Sequence, residues 1–112
     1  MIKISIMYSN TGKFDMDYYL DIHMPKSIVR LRAGQGYRGV SVERGPGGVA
    51  PGSAPSYVAL CHYLFDTAED FMAAYLPHVT ELQSFKPNYT DIESIIQFSS
   101  APALVMASKS SV

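Results

Sequence analysis

The stretch Tyr57-Val58-Ala59-Leu60-Cys61-His62-Tyr63-Leu64-Phe65 decides the fold. In a β-strand successive side chains point to opposite faces. Val58, Leu60, His62 and Leu64 therefore share one face, and Tyr57, Ala59, Cys61, Tyr63 and Phe65 share the other. Both faces are mainly apolar, so both sides of this strand should be covered.

Upstream lies a loop over residues 45–55 with four glycines and three prolines. It joins this strand to an earlier one, Tyr37 to Arg44, in which Val40 and Val42 face one way. A phosphate-cradling loop would need a helix N-terminus after it and usually a lysine. Neither follows, so a nucleotide role is not expected.

Further upstream, Met16, Leu20, His23, Met24, Ile28 and Leu31 recur at helical spacing. Asp15 suits the N-cap and Asp17 the first turn. Pro25 interrupts the stripe and predicts a kink or short break, because proline lacks a donor and crowds the preceding turn. Gly34 and Gly36 end the helix. Before it, Ile2, Ile4, Ile6 and Tyr8 alternate with Lys3, Ser5 and Met7 as a first strand.

Downstream, Asp66 or Thr67 caps a second helix with Glu69 and Asp70 in its first turn. Its expected buried stripe is Ala68, Met72, Tyr75, Val79 and Leu82, flanked by Phe71 and His78, with a bend at Pro77. A last strand is expected over Ile92 to Phe98, with Ile92, Ile96 and Phe98 on one face and Ile95 on the other. Residues 100–112 show no clear period and read as a tail or an arm over a partner.

The order βαββαβ gives an α+β, ferredoxin-like domain over residues 1–99, a four-stranded antiparallel sheet with two helices on one face. The helices cover one face only, and no helix remains to cover the other. Packing two sheets about a two-fold axis would cover it, which predicts a homodimer. With 112 residues the chain fits one domain, and a roomy ligand cavity would be easier to build with a second subunit. A charged fraction of 17% leaves little polar cover and favours self-association.

Bulk properties exclude other classes. Net charge is −1 and Lys and Arg form no run, so no nucleic-acid partner is expected. No apolar run approaches a membrane span, and no signal peptide precedes the first strand, so a cytoplasmic location and no membrane partner are expected. The single cysteine, Cys61, rules out a disulfide within the chain and a four-cysteine zinc site, and its apolar run favours a buried inert thiol.

The segment Phe14-Asp15-Met16-Asp17-Tyr18-Tyr19-Leu20-Asp21-Ile22-His23-Met24-Pro25 resembles the N-terminal signature of EthD-like proteins, a Tyr-Tyr pair followed by a His and x-Pro on the first helix. Gly39 to Gly45 and Pro87 to Glu93, with Gln97 beyond, fit the same family. The resemblance spans residues 1–98. It implies the dimeric α+β barrel fold and a pocket. The family takes its name from ethyl tert-butyl ether degradation, where a member accompanies an oxygenase system. The wider barrel group includes cofactor-free monooxygenases, lactone isomerases, dehydratases and haem proteins, so the resemblance implies a fold more strongly than a reaction.

His23 lies four residues after Tyr19, so both project from one helix face. Beside an apolar cleft His23 could act as acid/base with Tyr19 as its partner; the plainer reading is a histidine that fixes the Pro25 bend. Tyr8, Tyr63 and Tyr89, with His62 and His78, are candidate ligand-binding residues. The favoured readings are plainer: a satisfied core or interface histidine for His62, a surface or helix-bend one for His78, and core packing for most of the tyrosines. The three histidines lie on two helices and a strand, which argues against a metal site, and nothing specific signals haem. No cofactor is expected. Two function classes follow: cofactor-free proton transfer (isomerase, dehydratase or monooxygenase-like) on a small hydrophobic or aromatic catabolic or secondary-metabolic intermediate, or non-catalytic ligand binding, including an accessory role for an oxygenase.

Overall fold

Tyr8 and Ala59, near one end of their strands, stand opposite each other in a sheet whose order is β2-β3-β1-β4, every neighbouring pair antiparallel. The computed structural model describes residues 1–100. The expected arm over 100–112 lies outside the described residues, except for Ser100. The strands are β1 (Ile2–Ser9), β2 (Tyr37–Arg44), β3 (Tyr57–Phe65) and β4 (Ser94–Ser100). Between β1 and β2 run α1 (Met16–Tyr18), a π-helical turn (Tyr19–His23) and α2 (Met24–Leu31). Between β3 and β4 run α3 (Ala68–Tyr75), a 3-10 turn (Leu76–His78), α4 (Val79–Phe85) and a second 3-10 turn (Lys86–Asn88). This is the ferredoxin-like α+β architecture expected from the strand and helix order.

The helix starts follow the sequence. Asp15 accepts from the Tyr18 N–H and Thr67 from the Asp70 N–H, so each satisfies one of the donors that a helix leaves open at its start. Pro25 stands at the start of α2, which continues directly from the preceding helical turn, so its missing N–H takes one donor out of the helical ladder. The break it causes is specific: the Met24 N–H reaches back to the Tyr19 carbonyl, which widens one turn. Pro77 is accommodated in the opposite way, inside the tighter 3-10 turn Leu76–His78. Gly36 holds a positive φ of 81° before β2, and a side chain there would run into the Asp70 carboxylate.

The core lies between the helices and one sheet face, where Ile4, Cys61, Tyr63 and Phe65 are closed off by Tyr19, Leu31 and Phe71. Three expectations need correction. Tyr19, at 1% exposure, takes the buried place assigned to Leu20, which is 40% exposed. Buried Tyr19, His23, Ser27 and Leu31 recur every four residues, a spacing that drifts by roughly 40° per step around a regular α-helix. The wide turn absorbs part of that drift. On α3 it is Phe71, not Met72, that enters the core, because its ring packs on Phe65 at 5.6 Å and stacks on Tyr75 at 5.2 Å. Finally, β4 begins at Ser94. Ile92 is buried in the preceding turn, where its N–H donates to Thr90 Oγ1 and Thr90 Oγ1 donates to the Lys13 carbonyl.

The rear sheet face carries Val58, Leu60 and Leu64, with Met7 and Ile95 beside them in register. Ser5 is buried rather than solvated because its hydroxyl meets His62 Nδ1 at 2.8 Å, while His62 Nε2 reaches Glu43 at 3.2 Å. That line crosses three strands. Among the described residues no helix is long and apolar enough to cross a membrane.

Candidate functional site

Two tyrosines meet 81 residues apart in sequence: Tyr8 from β1 and Tyr89, just after the second 3-10 turn, with hydroxyls 2.8 Å apart. Tyr89 Oη also lies 3.5 Å from His23 Nε2, and its ring is tilted against the imidazole at 4.6 Å. The three side chains line one cleft between the sheet and the helices, a space of about 50 Å³. Ser27, one helical turn after His23, continues the wall on α2; Ile6 on β1 and Leu82 on α4 add apolar surface. Tyr75, Gln83, Lys86 and the β4 residues Ser94 and Ile96 complete the rim. β4 is an edge strand, and Ile96 is 45% exposed, so the cleft opens past it.

Burial sets the electrostatics. His23 is pushed down to about 4, first by burial and then by the positive Lys26, so its ring is neutral at pH 7. Burial raises Tyr8 strongly and raises Tyr89 to about 12, the hydrogen bond with Tyr8 holding Tyr89 back. His23 Nδ1 is buried and has no hydrogen-bond partner among the described residues.

Tyr19 stands behind this chain rather than in it. Its ring stacks on His23 at 5.7 Å with 15° between planes, while its hydroxyl bonds the Cys61 thiol. Burial raises Tyr19 strongly and pushes Cys61 up to about 12, so the thiol stays protonated at neutral pH. Tyr63 is buried on β3 with its hydroxyl 2.7 Å from Ser27 Oγ, which ties the sheet to the cleft wall. His62 lies on the rear face with Ser5 and Glu43, and His78 lies half-buried on the second helical arm near Glu81; neither borders the cleft.

Sequence reasoning did not single out Ser27, Gln83, Lys86 or Ser94. Ser27 was findable, since it repeats the four-residue step from Tyr19 to His23. The others approach the cleft only through the chain's long-range folding.

A larger groove of about 710 Å³ runs along Lys13–Asp15 and Pro87–Asp91 and shares Tyr89. Part of its polar lining is already paired: the Lys13 N–H donates to Asp91 at 2.8 Å and the Thr90 hydroxyl donates to the Lys13 carbonyl at 2.6 Å. It is a shallow joint between loops. Among the described residues no three His, Cys, Asp or Glu side chains are grouped so as to hold a metal ion.

No protein-family model matches the chain, and no curated protein matches it. Among solved structures it is similar to an EthD-like protein from Ralstonia eutropha JMP134, with 39% identity over 91% of this chain and 92% of that one, and a TM-score of 0.83. It also resembles an EthD family protein from Bacillus halodurans C-125 in fold, with 17% identity over 89% of this chain and 97% of that one, and a TM-score of 0.61.

Proposed function

The chain belongs to the EthD-like family, and from that premise we propose that it binds a small, largely apolar ligand in the cleft and moves a proton on it without a cofactor. The observation that carries this reading is the chain from His23 Nε2 through Tyr89 Oη to Tyr8 Oη along one cleft wall. A neutral imidazole is the form that can accept a proton, and burial keeps His23 in that form at pH 7. The aligned phenols can redistribute that proton without either becoming a free phenolate. His23 is the acid/base, Tyr89 and Tyr8 relay, and Tyr19 fixes the imidazole plane by stacking.

The same reading includes a homodimer. Leu60, Leu64, Met7 and Ile95 leave the rear face half-covered at best in a single chain. A second copy on that face would remove apolar surface from water at roughly 25 cal/mol per Å². It would also leave the helix-side cleft free.

The test is deuterium incorporation next to the carbonyl of butanone, followed by proton NMR, with parent chain and His23→Gln. The parent is expected to speed exchange, and the variant to lose that acceleration while still binding butanone. Equal loss of binding and exchange assigns His23 to ligand binding alone. A second reading, a non-catalytic ligand-binding or oxygenase-accessory protein, is favoured by the unpartnered His23 Nδ1, which a bound ligand could satisfy. Under it butanone binds and no exchange is accelerated.

A further inference from the structure

Lys86 opens the second 3-10 turn, and its side chain is only 18% exposed. It is the one charged residue among the described residues that line the cleft. Its carboxylate neighbour, Glu93, stands 3.8 Å away and is 90% exposed, so water screens most of that attraction. An ammonium on a mostly covered stem with so loose a counter-ion gains from a closer anion, because a charge-assisted hydrogen bond is stronger than a neutral one. The rim beside it supplies a further donor. Gln83 Nε2 donates to Tyr75 Oη at 3.4 Å, which leaves the Tyr75 hydroxyl proton free for a ligand. Ile6, Leu82 and Ile96 supply apolar wall among the polar side chains. The space of about 50 Å³ holds roughly four groups of water size, at about 10–15 Å³ each.

We propose that the cleft selects a small aliphatic carboxylate, with its head against Lys86 and Tyr75 and a stem of two or three carbons against the apolar lining. This deepens the function proposed above and rests on the cleft being a ligand site. With the head at Lys86, the stem would share the cleft with His23, Tyr89 and Tyr8, so charge would fix the pose and the tyrosine chain would face the carbon skeleton.

The probe pair is propionate and propionamide, which have the same shape and differ in charge. Each is titrated into the full-length chain at constant ionic strength, and binding is read from chemical-shift changes of cleft residues. Propionate is expected to bind about tenfold more tightly than propionamide. In Lys86→Met the ratio should fall to near one through weaker propionate binding alone, and Lys86→Arg should keep the preference. Equal affinity of the parent for both probes overturns the proposal with no variant needed, and so does an unchanged ratio in Lys86→Met. If neither probe shifts a cleft residue while butanone does, the carboxylate preference falls alone; if butanone shifts none either, the function proposed above falls with it. If both bind equally, only the preference falls.

Discussion

Lowering the pH from 7 to 5 should weaken the fold through one side chain. His23 is held at about 4 in the folded chain against an ordinary value near 6.5, with burial the main cause. The unfolded chain therefore takes up a proton over this range while the folded chain does not. Stability thus falls as the pH drops below 6.5, and the loss levels off below about 4. Linkage over a gap of roughly 2.5 units gives a full loss of about 3 kcal/mol, of which about 2 kcal/mol accrues between pH 7 and pH 5. That is a large share of the 5–15 kcal/mol typical of a domain. Urea unfolding at pH 7, 6 and 5, with parent and His23→Gln at one protein concentration, isolates the effect. Asp66 and Glu81, whose carboxyls are held low by Arg38 and Arg30, are common to both chains and cancel in the comparison. The parent should lose about 2 kcal/mol more than the variant across this interval. Parallel pH profiles would refute the reasoning, as would a His23 imidazole titrating by NMR near 6.5.

Tyr89→Phe should leave the Tyr8 hydroxyl and His23 Nε2 without their shared partner, costing roughly 1–3 kcal/mol in urea unfolding and abolishing accelerated deuterium exchange; unchanged exchange would remove Tyr89 from the relay. Ser27→Ala strands the buried Tyr63 hydroxyl and should cost about 1–3 kcal/mol, while the double variant with Tyr63→Phe should cost less than the sum of the singles, and strict additivity would deny the bond any energetic weight. If the proposed homodimer forms through the rear face, Leu60→Glu there should convert it to a monomer in sedimentation with an unchanged far-ultraviolet spectrum; a dimeric parent whose variant stays dimeric would place the interface elsewhere, and a monomeric parent would overturn the homodimer.

The fold was legible where local chemistry sets structure. Alternation gave β1, β2 and β3, and the Asp15 and Thr67 side chains marked both helix starts. Legibility failed where one residue of phase mattered. The wide turn that exchanges Tyr19 for Leu20 depends on how Pro25 is accommodated, and sequence spacing alone does not say whether the helix tightens or widens. Ile92 looked like strand because it is apolar; a threonine side chain turned it inward before the ladder began. In the cleft, His23, Tyr8 and Tyr89 could be nominated by residue type. That they touch could not be read, since the His23 and Tyr89 partners are 66 residues apart. Lys86 and Gln83 carry no local mark at all, because a residue becomes a cleft wall only by what the sheet sets opposite it.

The one sulfhydryl in this chain is sealed under a phenol at the boundary where the helical layer rests on the strands. Any reagent that reaches it must wait for those two layers to part. The rate at which Cys61 is alkylated is therefore a built-in clock for that separation, and slowing of the clock by a small molecule would register occupancy of the neighbouring space without a label being added.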